Sequence, residues 1–158
     1  MPTPEIHRAM QQAVGLHQAG RLAEAEPIYR RVLQKEPRNP DALQLLGLLA
    51  HQTNRNELAV ELISKAVTIQ PRAEFVVNLS QALRALGRMD DAAADYTRAL
   101  ESLPDDATLL CARAHAHQRL GDFQRAASDL SRAIQLAPQN PDAYTQRGNL
   151  AAEQGTFE

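Results

Sequence analysis

Residues 107–140 read ATLLCARAHAHQRLGDFQRAASDLSRAIQLAPQN. Apolar residues recur at helical spacing on both sides of Gly121-Asp122, which predicts one helix over 107–120 and a second over 123–136. Gly121 tolerates the positive φ that ends a helix, and Pro138 cannot continue one. The stretch is therefore a helical hairpin, and the same punctuation recurs along the chain. Pro37, Pro71, Pro104 and Pro138 lie 34, 33 and 34 residues apart, and Ala25, Ala59, Ala92 and Ala126 keep those intervals. Three more columns follow: Gly20, Asn54, Gly87, Gly121 and Gly155; Val32, Ala66, Ala99 and Ala133; Leu33, Val67, Leu100 and Ile134.

Five columns in one register define an internal repeat of about 34 residues, each unit holding a helix A and a helix B. The units run about 6–39, 40–72, 73–106 and 107–140, with a partial fifth over 141–158, all read as one domain spanning 1–158. Asn39-Pro40-Asp41 and Asn140-Pro141-Asp142 place a capping side chain, a preset φ and an anion in succession, so helices start there. Small residues (Ala13, Gly47, Ser80, Ala114, Gly148) hold the eighth place, where helix A must approach the all-Ala column of helix B. Asn54 stands in the Gly column, the second unit is one residue short after Pro71, and Pro27 is expected to kink the helix over 22–35 near its start.

These columns resemble the tetratricopeptide repeat, with its small residue at the eighth place, Gly at the fifteenth, Ala at the twentieth, an aromatic at the twenty-fourth and Pro at the thirty-second. Tyr29 and Tyr96 keep the aromatic, and Ile63 and Leu130 replace it. The resemblance covers Ile6 to Glu158. It implies an all-α, right-handed α-solenoid of antiparallel helix pairs, nine helices in all, because no unit can bury its apolar face alone. Helix A of each unit would line the concave groove. The segment over 141–154 would supply a terminal helix, while Gly155-Thr156-Phe157-Glu158 starts a helix B that does not follow, as at a boundary inside a longer protein.

Composition narrows the function. The 158 residues are 44% hydrophobic and 23% charged, neither disordered nor membrane-spanning, and long enough to bury roughly 70% of the unfolded surface. Seventeen Lys and Arg against nineteen Asp and Glu, with pI about 6.2, speak against nucleic acid as a partner. Cys111 is the lone cysteine and MPTPEIHRAM has no signal-peptide pattern, so a reducing, cytoplasmic location is expected, with no membrane partner.

No GxSxG, GxxxxGK[ST], HExxH or CxxC is present, and neither a catalytic residue nor a cofactor is expected in this segment. His17 and His51 share the twelfth place of adjacent units and could face each other as a two-His metal pair. No Asp, Glu or Cys holds the adjoining groove places, so they read as solvated groove histidines and no metal is expected. His115 falls at a groove place and His117 at an interhelical one. Cys111 reads as a packed small residue facing the groove, and pairs such as Glu24 with Arg30 and Asp122 with Arg125 as ordinary helix decoration.

The groove places of the A helices give the candidate binding residues. They are Met10, Val14 and His17 in the first unit and Gln44, Leu45, Leu48 and His51 in the second. The third gives Val77, Asn78, Gln81 and Arg84, and the fourth His115 and Arg119. An apolar strip (Met10, Val14, Leu45, Leu48, Val77) thus meets a polar, weakly basic half.

The repeat resemblance implies a scaffold that binds a protein, as an extended peptide or a partner helix, in this groove. The run from Gly20 to Gln52 also looks like early repeats of bacterial proteins related to O-linked GlcNAc transferases, which would make the segment the substrate-recruiting N-terminal arm of a larger enzyme. The Asn ladder associated with that family at the sixth place is matched only by Asn78, with Gln11 and Gln146 as partial substitutes. A carboxylate clamp, needing Lys, Asn and Arg at the fifth, sixth and ninth places, is disfavoured because those places hold residues such as Met10, Leu45 and Cys111. An uncovered face on the last helix, with Tyr144, Gly148 and Ala151, would allow weak homo-oligomers.

Overall fold

A computed structural model of the chain describes residues 3–155; Thr156, Phe157 and Glu158, where a further helix B was expected to begin, lie outside the described residues. Among the described residues there are nine α-helices and no strand. They divide into two compact units, Met1–Pro71 and Arg72–Glu158. The division falls where the repeat is one residue short. At the B-to-A connections inside the units a backbone turn links Asn39 to Glu36, Asp106 to Leu103 and Asn140 to Ala137.

The first unit holds α1 (Pro4–Gln18), α2 (Leu22–Lys35), α3 (Pro40–Gln52) and α4 (Asn56–Ile69). Each A helix ends as the Gly column requires. Gly20 has φ 74° and Asn54 φ 59°, and the next amide (Arg21, Arg55) donates back to the carbonyl of Leu16 or Ala50 at 2.9 and 2.8 Å, closing a Schellman motif. Asn39 caps α3 by accepting from the Ala42 amide at 2.9 Å. The helix α2 runs as one element through Pro27, which is exposed. Its core is the register itself: Ala13, Ala25, Tyr29, Ala59, Ile63 and Ala66 are fully buried. At Gly47 α3 approaches α4 closely, since a Cβ there would stand 2.5 Å from Ile63 Cγ1 and 3.3 Å from the Ala59 carbonyl oxygen.

The second unit holds α5 (Ala73–Ala85), α6 (Met89–Ser102), α7 (Ala107–Arg119), α8 (Phe123–Leu136) and α9 (Pro141–Glu153). Ala92, Ala126, Ala133, Phe75 and Leu109 are fully buried, with Tyr96 and Leu130 at the aromatic place close behind. Gly87 and Gly121 repeat the left-handed stop at φ 73° and 78°. On α9, Gly148 has nothing within 4 Å of its Cβ position and Tyr144 is exposed, its ring 5.2 Å from the Arg147 guanidinium carbon.

Candidate binding face and polar seam

In the first unit Met10 and Val14 on α1 and Leu45 and Leu48 on α3 are half-buried, Met10 packed against the buried cluster of Ile6, Val32 and Ala42. Half-burial leaves each with an accessible apolar edge on a fixed backbone. Gln44 does not join them, being only 3% exposed. The helix α3 lies against both α2 and α4, so less of its circumference stays open than on α1. The two histidines also depart from expectation, because both have protein partners. His17 donates from Nε2 to Gln52 Oε1 at 2.9 Å and accepts at Nδ1 from the Tyr29 hydroxyl at 3.3 Å, linking α1, α2 and α3. His51 donates from Nδ1 to Asn56 Oδ1 at 2.6 Å. Burial pushes the Tyr29 phenol up to about 12, so it stays a neutral donor. No three His, Cys, Asp or Glu side chains among the described residues are placed to share a metal.

In the second unit Val77 and Asn78 are half-buried on α5, with Gln81 and Arg84 exposed beyond them. His115 is half-buried on α7 and Arg119 exposed. Burial, then the charges of Arg84 and Arg119, hold the His115 imidazole below its ordinary value, while Glu153 pulls the other way. These three groups therefore form one weakly basic cluster. Among the described residues neither Arg84 nor Arg119 belongs to an ion pair, whereas Arg88, Arg98, Arg113, Arg125 and Arg132 of the same unit all do.

Cys111 faces no open groove: it is 6% exposed, and burial, with Asp142 and Asp129 adding to it, pushes its thiol up. As α3 does in the first unit, α7 packs on both sides. Gln11 is exposed, and Gln146 buries its Oε1 without a partner among the described residues.

A polar seam absent from the sequence expectations crosses this unit. Arg113 on α7 donates to Asp129 on α8 through two parallel bonds at 2.8 and 2.7 Å, and through Nη1 to Thr97 on α6 at 3.3 Å. Asp129 is 7% exposed and His117 beside it 9%. Burial keeps His117 below its ordinary value, with Asp129 and Asp122 opposing and Arg113 and Arg125 adding to the shift. The register held the signal, because Leu46, Ala50 and Leu62 occupy the equivalent places of the second repeat. The surface pairs are also redrawn. Glu24 pairs with Arg21 at 2.6 Å, not with Arg30, which pairs with Glu26 at 2.6 Å, since residues six apart do not share a helix face. Asp122 and Arg125 do pair, at 3.3 Å.

Tetratricopeptide repeat models match residues 16–79 and, with a second model, 70–107 and 111–158. No curated protein matches the chain. Among solved structures it is similar to TTC0263, a thermophilic TPR protein of Thermus thermophilus, at 23% identity over 95% of this chain and 83% of that one, with TM-score 0.73. A tetratricopeptide repeat protein from Parabacteroides merdae ATCC 43184 gives TM-score 0.84 at 19% identity over 96% of this chain and 60% of that one. YrrB, described as a TPR protein with an unusual peptide-binding site, gives TM-score 0.74 at 18% identity over 95% and 78%. At these identities the likeness establishes the fold. No helix among the described residues is long and apolar enough to cross a membrane.

Proposed function

As a member of the tetratricopeptide repeat family, whose proteins are generally non-catalytic interaction scaffolds, the chain serves, we propose, as a protein-binding module that holds an extended peptide or partner helix on its A-helix face. The observation that carries this reading is the half-buried strip of Met10, Val14, Leu45 and Leu48. A core residue would be sealed and a solvated one polar. These four instead offer apolar edges on helices that α2 and α4 already support from behind. The second unit, taken by itself, carries half-buried Val77 and Asn78 on α5 and half-buried His115 on α7, with Gln81, Arg84 and Arg119 exposed, and offers an A-helix contact surface of its own.

A display library of random 16-residue peptides, selected on the full chain, tests the reading. Leu45→Asp with Leu48→Asp is expected to lose most of the selected binders while circular dichroism keeps its helix signal. Undiminished capture by the double variant would overturn it. The finer readings, a recruiting arm for a larger enzyme and weak association through the exposed Tyr144 face, gain no support beyond the sequence, and the module reading does not depend on them.

A further inference from the structure

The two units differ where one B helix meets the start of the next. In the first unit Glu26 on α2 bridges that place to Arg55, just before α4. Its carboxylate accepts from the Arg55 guanidinium at 2.8 and 3.0 Å, and from Arg30 at 2.6 Å. Register places Ala93 of the second unit where the first has Glu26, and Asp122 where it has Arg55. That ion pair has therefore lost its acceptor on one side and exchanged its guanidinium for a carboxylate on the other.

A cavity of about 400 Å³ stands there, walled by Asp90, Ala93, Ala94, His117, Leu120 and Asp122. A second, of about 350 Å³, shares Thr97, His117 and Arg125 with it and reaches the Arg113–Asp129 pair.

The chemistry of the wall selects its occupant. Two carboxylates, Asp90 and Asp122, face one guanidinium, that of Arg125. Arg125 touches Asp122 at 3.3 Å and is 73% exposed, so it swings into solvent at little cost. His117 is nine-tenths buried and lines both cavities, and its ring makes no hydrogen bond among the described residues. Burial favours its neutral ring, which leaves one nitrogen able to accept. Ala93, Ala94 and the exposed Leu120 give the same wall an apolar side beside these acceptors. Several separate acceptors beside an apolar wall match a planar, multi-donor cation better than a compact one, even with Asp122 Oδ1 already accepting from the Arg125 amide as the cap of α8.

We propose that this cleft binds the guanidinium group of an arginine side chain presented by a protein partner, which pairs with Asp122, the carboxylate that stands in the register place of Arg55. The site lies on the B-helix side of α7 and is independent of the A-helix face.

The experiment is an NMR titration of the full 158-residue chain with N-acetyl-arginine N-methylamide, in parallel with the lysine and glutamate analogues. Saturable shifts are expected at Ala93, Ala94, Leu120 and the His117 ring, with the arginine probe at least about fivefold tighter than the lysine one. Ala93→Glu combined with Asp122→Arg rebuilds the ion pair of the first unit and is expected to abolish those shifts. Ala93→Leu, which only fills the space, gives the same reading should the rebuilt chain not fold. The absence of saturable shifts, equal response to lysine, preference for the glutamate probe, or arginine binding retained by the filled variants would each overturn the proposal.

Discussion

Gly47→Ala isolates a close helix approach, that of α3 to α4. The added methyl would lie 2.5 Å from Ile63 Cγ1 and 3.3 Å from both Ile63 Cδ1 and the Ala59 carbonyl oxygen. Ile63 is fully buried, and Cγ1 is not the free end of its side chain, so relief requires α3 and α4 to separate. Overpacking of this kind costs about 1–3 kcal/mol. Removing a glycine from a helix interior gives back about 1 kcal/mol. The net expectation runs from near zero to about 2 kcal/mol of destabilisation. Gly15→Ala, in the same unit, is the control: nothing lies within 4 Å of its Cβ position, so only the propensity gain remains. The two variants share that gain, and their difference of about 1–3 kcal/mol is the packing cost alone. Urea unfolding followed by helical circular dichroism measures it, with an unchanged slope as the condition for comparing midpoints. Gly47→Ala stabilising the chain as much as Gly15→Ala would refute the claim that the eighth place is small because helix B lies against it.

Three further outcomes follow from the same structure. Ala126→Leu, at a fully buried crossing, is expected to cost about 1–3 kcal/mol, with hydrogen exchange accelerating mainly in α7, α8 and α9; uniform loss of protection along the chain would contradict nearest-neighbour stability. Asp129→Leu leaves the Arg113 guanidinium uncompensated in the seam and is expected to cost about 3–5 kcal/mol, whereas Arg113→Leu with Asp129→Leu, copying Leu46 and Leu62, is expected to fall near wild type or above it. His115 and His117 are held below the ordinary 6.5, so the unfolded chain takes up protons first: stability is full above that value and declines as pH falls through it toward the lower folded values. His115→Gln with His117→Gln is expected to flatten that decline, leaving the loss below 4.5 where Glu26, held low by Arg55, is protonated; an unchanged slope between about pH 7 and 5 would contradict the assignment.

The fold was legible because each helix boundary is written in a residue with one physical job. Gly20, Asn54, Gly87 and Gly121 all adopt the positive φ their column implied, and the Ala column is buried throughout. The candidate face was legible only as places on helices. Whether a place is open depends on how many neighbours a helix has, which is why Gln44 on α3 and Cys111 on α7 are buried while Met10 on α1 is not. Hydrogen bonds of His17 and His51 reach residues on other helices, and spacing along one helix gives no sign of them. The Arg113–Asp129 seam was visible in the register, yet a charge on a helix reads as solvated until the same place is compared across repeats.

Methyl-resolved NMR of the chain bound to a peptide selected from the display library tests the central claim most directly. The account predicts that shifts concentrate on Val14, Leu45 and Leu48. Shifts confined to the B helices α2, α4, α6 and α8, with those A-helix methyls unmoved, would contradict it.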